Sequence, residues 1–290
     1  MIERSLRDST IGIVGLGLMG GSLALALRDH TGRLIGVESD ALTRQRAVRE
    51  GIVDVAFENL SPDVPHIDLL VLATPVRSIL RTLARLPDLR PVGCQVIDLG
   101  STKQTVVTAM NDLPEIFAAI GGHPMCGKET SGLDAAAVDL YRGQTFILCR
   151  TSRTTLELER LTLEVLEIIG AQADFLDAAE HDAVVALVSH LPYLVSATLM
   201  RGTSTEDQWA ISASGLRDTT RLAGTNPRMM IDILLTNRDA ILDVLSDYAS
   251  DLAVLRQLLH HGDENALMEW LARAQVHYAA YRRFRSTRAE

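Results

Sequence analysis

The chain has 290 residues, of which 47% are hydrophobic and 22% are charged, and its formal net charge is −9. This composition is typical of a soluble globular protein of two domains and argues against nucleic acid or an anionic membrane surface as a partner. No apolar stretch has the uninterrupted length of a membrane span, and no signal peptide is recognisable. The three cysteines form no CxxC motif, so no metal site is predicted, and a location in the reducing cytoplasm is favoured.

Short β-rich runs alternate with helical patterns in the first part of the chain, which predicts a doubly wound parallel sheet. The predicted strands are TIGIVG, RLIGVE, IDLLVLAT, CQVIDLG, AAIGG, QTFILC and QADFL. Apolar residues at helical spacing predict crossover helices in MGGSLALALRDH and over residues 154–169. Strand patterns then stop, and helices are predicted around residues 178–201, 206–223, 227–261 and 263–284. We therefore expect a Rossmann-type α/β domain over residues 1–177, followed by an all-α domain over residues 178–290.

A dinucleotide-binding loop is indicated where the first strand runs into a G-x-G-x-x-G spacing and a helix follows at once. These glycines permit a tight turn, a close approach to pyrophosphate and close helix packing. The predicted cofactor-binding residues of the loop are Gly15, Leu16, Gly17, Leu18, Met19 and Gly20. Glu38 ends the second strand, where a carboxylate accepts hydrogen bonds from ribose hydroxyls and repels a 2′-phosphate. NAD is therefore favoured over NADP, and a glycine-rich turn without a ligand is the alternative.

Two further strand ends are expected at the same edge of the sheet. Ala73, Thr74 and Pro75 follow one buried strand, and Ser101 follows another. Ligands in open α/β sheets bind outside the carboxyl ends of the strands, so these residues are candidate cofactor contacts. Ordinary turn and helix-cap chemistry explains each of them equally well when it is taken alone.

Two histidines and two arginines are candidates for the chemistry of the site. His123 ends the strand in GGHP and is a candidate acid or base, whereas His190 lies on a mostly apolar helix, where a core histidine is the simpler interpretation. Arg217 and Arg221 are four residues apart, which places both on one face of a helix. Two guanidinium groups suit a substrate with two carboxylates, and ion pairs with nearby acidic residues are the alternative.

Together these segments resemble the prephenate and arogenate dehydrogenase family of tyrosine biosynthesis. The resemblance runs in family order through GLGLMGGSLA, DLGSTK, GGHPMCGKETSG, HDAVVALVSHLPYL and GLRDTTRLAGTNPRMMIDILLTN, and so covers nearly the whole chain. It implies that His123 bonds the ring hydroxyl of the substrate and assists hydride transfer, and that Ser101 lies beside that hydroxyl. It also implies that His190 lines the pocket, that Arg221 binds a carboxylate and that Glu129 helps to gate the site. A homodimer formed through the helical domain is expected as well.

The expected activity is the NAD-dependent oxidative decarboxylation of prephenate to 4-hydroxyphenylpyruvate. Arogenate or another amino-substituted analogue is the alternative substrate, although Asn226 offers an amide where a carboxylate would better receive an ammonium group. A β-hydroxyacid dehydrogenase would need a catalytic lysine after its nucleotide domain, and the last lysine here is Lys128. A sensor that binds NAD without turnover gives no reason for His123, His190 and Arg221 to coexist.

Overall fold

A computed structural model of the protein describes residues 5–128 and 130–287. The chain forms two compact units, the first ending at Ile241 and the second beginning at Leu242. Within the first unit the strands end at Phe175 and the succession of helices begins at Ala178. The change from strands to helices therefore occurs where the sequence predicted it.

The first unit contains an eight-stranded sheet. Its strands are β1 (Thr10–Val14), β2 (Arg33–Val37), β3 (Val55–Phe57), β4 (Leu69–Leu72), β5 (Gln95–Asp98), β6 (Ala118–Pro124), β7 (Thr145–Arg150) and β8 (Gln172–Phe175). The order is β3-β2-β1-β4-β5-β6-β7-β8. The chain adds β2 and β3 on one side of β1 and then crosses from β3 to β4, which lies on the other side of β1. The strand order therefore reverses between β1 and β4, and this topological switch point is where such sheets bind ligands. The expected Rossmann-type doubly wound sheet followed by helices is confirmed.

Two details of the sheet differ from the sequence prediction. The three-residue edge strand β3 was not predicted, because so short a run carries no periodicity. In addition, β7 is antiparallel to β6, while the other neighbouring strands are parallel. Among the described residues between β6 and β7, the one helical element is the 3-10 turn at Leu133–Ala135. Without a crossover helix the chain returns along the sheet in the opposite direction.

Twelve α-helices lie within the described residues. They are α1 (Leu18–Leu27), α2 (Ala41–Arg49), α3 (Val76–Leu89), α4 (Gln104–Asn111), α5 (Leu156–Ile168), α6 (Ala178–Val185), α7 (Leu191–Gly202), α8 (Glu206–Ala210), α9 (Ser214–Thr220), α10 (Pro227–Thr236), α11 (Arg238–His261) and α12 (Glu264–Thr287). Three predicted long helices are interrupted: a π turn at Ala186–His190 separates α6 from α7, a loop separates α8 from α9, and Asn237 separates α10 from α11.

The core of the first unit lies on both faces of the sheet. All four residues of β4 are buried, as expected for a central parallel strand covered by helices on each side. Helix α3 buries Val76, Ile79, Leu83 and Leu86, which follow the helical period and form one apolar face. Each such side chain contributes about 1.5 to 3 kcal/mol when it is removed from water. This packing fixes the carboxyl ends of the central strands, which carry the site.

The helical stretch Ala178–Gly202 spans 25 residues and is long and apolar enough to cross a membrane by length and composition alone. It also carries buried His181, Asp182 and His190, and the backbone N–H groups of Lys103 and Gln104 donate to the Asp182 carboxylate. Of its apolar window 28% is buried, and the buried face contributes these polar groups to the site.

The second unit consists of the greater part of α11 together with α12. Large apolar side chains on these helices are exposed, including Leu259, Met268, Val276 and Tyr278. Apolar surface of this kind marks a site of association with another protein surface.

Candidate active site

The glycine loop has the geometry that a bound pyrophosphate requires. Gly15 has a φ of 93°, which a residue with a side chain rarely adopts. A Cβ at Gly20 would lie 1.9 Å from the carbonyl oxygen of Gly15, so only glycine permits this approach of α1 to β1. A Cβ at Gly17 would meet nothing within 4 Å, which leaves open space at the start of α1. The N-terminus of this helix is therefore free to receive an anion.

The carboxylate of Glu38 closes one side of this loop. Its Oε2 accepts from the backbone N–H of Leu16 at 2.9 Å, and its Oε1 accepts from that of Asp40 at 3.0 Å. The nearby guanidinium of Arg44 donates to the backbone oxygen of Glu38 at 2.6 Å and lies 3.8 Å from the carboxylate of Glu58. Glu38 is thus held between the glycine loop and the turn after β2, where the adenosine ribose is expected.

The next strand end also fits a dinucleotide. The hydroxyl of Thr74 is buried and has no hydrogen-bond partner in the part of the chain that the structure describes. Thr74 adjoins the glycine loop, since a Cβ at Gly15 would lie 2.8 Å from its methyl group. A buried hydroxyl without a partner costs free energy unless a ligand satisfies it. Together with the glycine loop and Glu38, it shows that the residues present fit NAD.

The predicted residues on the four central strands lie along one edge of the sheet. Strands β1, β4, β5 and β6 are consecutive and parallel, so their carboxyl ends lie side by side. Gly15 follows β1, Thr74 follows β4, Ser101 follows β5 and His123 lies near the end of β6. Ser101 and His123 therefore lie on the same edge as the cofactor loop, two and three strands away from β1.

His123 belongs to a chain of hydrogen bonds that the sequence analysis missed. Its Nδ1 lies 2.8 Å from Nε2 of His181, and Nδ1 of His181 lies 2.8 Å from Oδ1 of Asp182. His181 and Asp182 are buried at the start of α6. The backbone N–H groups of Lys103 and Gln104, where α4 begins, donate to the two oxygens of Asp182 at 2.7 and 2.9 Å.

This chain of contacts determines which nitrogen of His123 carries the proton. A carboxylate only accepts, so the Asp182 oxygen requires a proton on Nδ1 of His181. When His181 carries this single proton, its Nε2 has a lone pair, which accepts from Nδ1 of His123. The remaining ring nitrogen of His123, Nε2, has the lone pair and makes no hydrogen bond within the described residues. His123 is therefore arranged as a proton acceptor.

The environment keeps His123 neutral. Burial is the main reason that the pKa of His123 lies well below its usual value of 6.5, and the positive charge of Lys103 lowers it further. The sequence analysis assigned His123 as an acid or base without settling its charge. The structure favours the base at neutral pH.

A buried ion pair fixes the two strand ends that hold Ser101 and His123. The ammonium group of Lys103 contacts the carboxylate of Asp98, and both side chains are fully buried. Asp98 also accepts from the backbone N–H of Gly100 at 2.7 Å and from that of Gly122 at 3.1 Å. Removing one partner of such a pair leaves an uncompensated buried charge and costs about 3 to 5 kcal/mol. The pair therefore orders the Ser101 turn and the residue before His123 together.

His190 is placed by an irregular turn of helix. The backbone N–H of Leu191 donates to the carbonyl oxygen of Ala186, which is the wider hydrogen bond of a π turn. Pro192 follows immediately and has no N–H to donate, which favours this local irregularity. Burial lowers the pKa of His190 to about 4, so its ring is neutral at physiological pH. Such π turns occur frequently at functional sites.

The two arginines do not share one continuous helix. Arg217 lies in α9, where its side chain is 78% exposed and donates to Asp218 at 3.0 Å. Arg221 begins the 3-10 turn Arg221–Gly224 after α9 has ended. This turn packs against α7, and the backbone N–H of Ala223 donates to the buried hydroxyl of Ser196 at 2.9 Å. Arg217 therefore forms an ion pair with a nearby acidic residue, which was the alternative to substrate binding. Arg217 and Arg221 also belong to different elements.

Glu129 lies outside the described residues. Asn226 is exposed and caps α10, because its side-chain oxygen accepts from the backbone N–H of Arg228 at 2.9 Å. Among residues 5–128 and 130–287, no group of three or more His, Cys, Asp or Glu side chains could hold a metal ion.

The sequence analysis passed over His181 and Asp182 although the segment HDAVVALVSH was part of the resemblance. Their signal is an adjacent histidine and carboxylate near the start of a largely apolar helical stretch. Asn237, which the sequence analysis placed inside one long helix, also contacts the site. Polar residues in such apolar surroundings need partners, and this requirement is the only sequence signal for them.

Comparison with known proteins identifies the family. The model of the prephenate dehydrogenase nucleotide-binding domain matches residues 23–174, and that of the prephenate dehydrogenase dimerization domain matches residues 177–273. A prephenate dehydrogenase of Bacillus subtilis is 33% identical over 280 residues, which cover 92% of this chain and 74% of that protein.

Solved structures agree with this assignment. A prephenate dehydrogenase of Aquifex aeolicus in complex with hydroxyphenyl propionate and NAD+ has a TM-score of 0.88 at 29% identity, covering 96% of this chain and all of that one. A Synechocystis arogenate dehydrogenase has a TM-score of 0.77 at 33% identity, covering 94% of this chain and 99% of that one. The two domain models, the relatives and the arrangement of the sheet edge agree, and the chain belongs to the prephenate dehydrogenase family.

Proposed function

We propose that the protein uses NAD to convert prephenate to 4-hydroxyphenylpyruvate and CO2, as a step of tyrosine biosynthesis. The observation that carries this proposal is the hydrogen-bond chain from Asp182 through His181 to His123, which leaves an accepting nitrogen on the edge of the sheet that also carries the cofactor loop. The solved relative that holds NAD+ and hydroxyphenyl propionate supports both the cofactor and an aromatic ligand. NAD, when bound, supplies the hydride acceptor.

In this reaction His123 stabilises the ring hydroxyl as its proton becomes acidic. As hydride leaves the carbon that bears this hydroxyl, its proton becomes acidic, and Nε2 of neutral His123 accepts a hydrogen bond from it. The bond strengthens as the transition state forms, so it accelerates the reaction rather than only binding the substrate. Loss of CO2 returns an electron pair to the ring, and the product is a phenol. The phenol retains the hydroxyl proton, so His123 ends the reaction neutral.

The carboxylates of the substrate are assigned to the arginine side of the site. Arg221 binds one carboxylate, because a guanidinium forms two parallel hydrogen bonds with it. Arg217 supports it electrostatically from α9. Ser101 contributes its hydroxyl beside the ring oxygen, and Glu129 gates the site, both as the family resemblance implies. Glu38 accepts from the ribose of NAD and disfavours NADP.

Arogenate is the second candidate substrate, and the Synechocystis relative is an arogenate dehydrogenase. The two substrates differ where prephenate carries a keto group and arogenate an ammonium group. Asn226 offers no charge to an ammonium group, which favours prephenate. We expect NADH formation with prephenate to show the higher kcat/KM when both substrates are assayed side by side. A higher kcat/KM for arogenate would reverse this assignment, and no NADH from either would overturn the proposed function.

The proposed assembly is a homodimer in the cytoplasm. The family model that matches residues 177–273 is described as a dimerization domain, and the exposed apolar residues of α11 and α12 support this assembly. The three cysteines are free, which suits a reducing compartment. Light scattering at micromolar concentration should give twice the chain mass of 31.6 kDa. A particle of the single-chain mass would contradict the dimer.

A further inference from the structure

We propose that Asn237 is a positioning residue that holds the proton of His190 on Nε2, so that His190 donates a hydrogen bond to an acceptor oxygen of the substrate. This inference rests on the proposed function, because that function places a carboxylate-bearing substrate beside His190. It adds a residue outside the predicted site and assigns a direction to the hydrogen bond of His190.

The side chain of Asn237 makes two contacts. Its amide nitrogen donates to the backbone carbonyl oxygen of Asp182 at 2.8 Å and lies 3.2 Å from Nδ1 of His190. Asn237 and His190 are both buried, with 4% and 2% of their surface exposed. At this depth, contacts with protein groups replace those with water, and each unpaired polar atom costs free energy.

The carbonyl of Asp182 settles which way the amide faces. A backbone carbonyl oxygen only accepts, so the group of Asn237 that faces it must be the NH2 group. The same NH2 group is the one beside His190. Nδ1 of His190 must therefore accept, which requires a lone pair on that nitrogen. A neutral imidazole has one N–H, so the proton lies on Nε2.

Two observations make this proton available to a ligand. The first is that burial keeps His190 neutral, with a pKa of about 4, so the ring has one donor and one acceptor. The second is that Nε2 of His190 has no hydrogen-bond partner in the chain over residues 5–128 and 130–287. Carboxylate and keto oxygens are acceptors, and prephenate carries both. The nitrogen of an ammonium group cannot accept.

The two histidines of the site are thus held in opposite tautomers. Asp182 and His181 leave Nε2 of His123 as an acceptor, whereas Asn237 leaves Nε2 of His190 as a donor. The residue Asp182 contributes to both arrangements, through its side chain in the first and its backbone carbonyl in the second. One substrate can therefore donate a hydrogen bond from its hydroxyl to His123 and receive a hydrogen bond from His190.

The position of Asn237 explains why the predicted long helix is interrupted there. Asn237 ends α10, with its backbone N–H donating to Ile233 at 3.0 Å, and the N–H of Ile241 donates to its carbonyl at 3.1 Å. Just before it, the hydroxyl of Thr236 lies 2.8 Å from that of Thr102 in the turn before α4. The junction is therefore attached to both α6 and the sheet, which gives Asn237 a fixed geometry.

The first experiment measures the tautomer in the wild-type protein. Histidine labelled with 15N is incorporated, long-range 1H–15N correlations are recorded, and the signals of His190 are assigned by their loss in His190→Gln. We expect Nδ1 of His190 to show the shift of an unprotonated nitrogen and Nε2 that of a protonated one. A proton on Nδ1 would overturn the proposal. This result does not depend on activity, so it stands even if prephenate is not oxidised and the proposed function fails.

The second experiment uses Asn237→Asp, which is isosteric but presents an acceptor to His190. We expect the proton to move to Nδ1 and KM for prephenate to rise about 10- to 100-fold, with kcat changing by less than about threefold. Asn111→Asp is the matched control, because Asn111 acts only as an acceptor, from Ser152. In the His190→Ala background, Asn237→Asp should add no further rise in KM. An unchanged KM for prephenate in Asn237→Asp would contradict the proposal. So would a rise in KM in the double variant that equals the product of the two single rises.

Discussion

Nδ1 of His123 and Nε2 of His181 lie 2.8 Å apart, with the two rings meeting edge to face at an interplanar angle of 71°. The two residues are 58 positions apart in the chain. Their contact joins the end of β6 to the first turn of α6, and so attaches the helical part of the first unit to the edge of the sheet. A histidine oriented by a second histidine and a carboxylate is a proton acceptor of defined direction, and the first three predictions concern it.

Replacing His123 tests the acceptor itself. We expect His123→Asn to lower kcat by about 10²- to 10⁴-fold, because the substituted side chain accepts the hydroxyl proton poorly, while KM for prephenate changes little. Steady-state NADH formation measures both constants. His66→Asn is the control, since His66 is exposed at the opposite edge of the sheet and contacts Asp68. A near-normal kcat in His123→Asn would make His123 structural and His190 the next candidate base.

The pH dependence of kcat should reflect the depressed pKa of His123. Protonated His123 cannot accept, so activity is lost as pH falls through the pKa of the residue in the folded enzyme. Because burial and neighbouring charges hold this pKa well below 6.5, we expect kcat to stay constant from neutral pH through 6.5 and to fall only in more acidic solution. The acidic decline should be absent in His123→Asn. A decline centred at or above pH 6.5 would contradict this burial effect.

Asp182→Asn tests the tautomer of His123. The amide of the variant can face His181 with its NH2 group, which moves the proton of His181 to Nε2 and leaves His123 protonated on its substrate-facing nitrogen. We expect kcat to fall by about 10²- to 10⁴-fold, and the free energy of unfolding to fall by about 1 to 3 kcal/mol because the NH2 group also faces a backbone N–H that donated to Asp182. Kinetics and thermal unfolding followed by circular dichroism measure the two effects. Asp177→Asn is the control on the same helix, because asparagine also caps a helix well. Equal kcat values for Asp182→Asn and Asp177→Asn would contradict the role of Asp182 and His181 in setting the tautomer of His123.

Substitutions of the two arginines should differ in their effect on KM for prephenate. Arg221→Ala removes a charge-assisted contact worth roughly 2 to 4 kcal/mol, so KM for prephenate should rise about 30-fold or more while KM for NAD stays nearly constant. Arg217 is exposed and contacts Asp218, so Arg217→Ala should raise KM by less than about fivefold. The measurement is steady-state kinetics with each substrate varied in turn. An unchanged KM in Arg221→Ala would place the carboxylate site elsewhere.

Cofactor choice should depend on the charge of Glu38. Glu38→Gln keeps an acceptor for the N–H of Leu16 while removing the charge, and Glu38→Ser removes both. We expect the preference for NAD over NADP to narrow in both variants, since a neutral side chain no longer repels a 2′-phosphate. The ratio of kcat/KM for the two cofactors measures this effect. Comparable values for NAD and NADP in the wild-type enzyme would contradict the role of Glu38.

Local pattern was sufficient to predict the sheet and its cofactor loop. The alternation of apolar runs with helical spacing identified seven of the eight strands, and the spacing of Gly15, Gly17 and Gly20 identified the turn after β1. These features follow from backbone geometry and burial within a few residues, so a single segment carries the information. The candidate base His123 followed from its place at a strand end.

Interruptions of helices were not predictable from the same pattern. The apolar spacing continues through Ala186–His190 and through Asn237, although the helix changes form at both places. Contacts with distant residues decide these positions: Asn237 bonds to Asp182, and Asp182 bonds to the backbone where α4 begins. Tertiary hydrogen bonds override the local helix propensity, which differs between most residue types by only a fraction of a kcal/mol per residue.

The sequence by itself determined the fold class, the dinucleotide loop and the family, because each depends on residues close together in the chain or on motifs in a fixed order. The tertiary structure alone decided which way the two histidines of the site present their protons. That property depends on His181 and Asp182 of α6 and on Asn237 between α10 and α11, which meet His123 and His190 only when these elements pack together within the first unit. A proton on a ring nitrogen responds to the partner of the other nitrogen, and only folding supplies that partner.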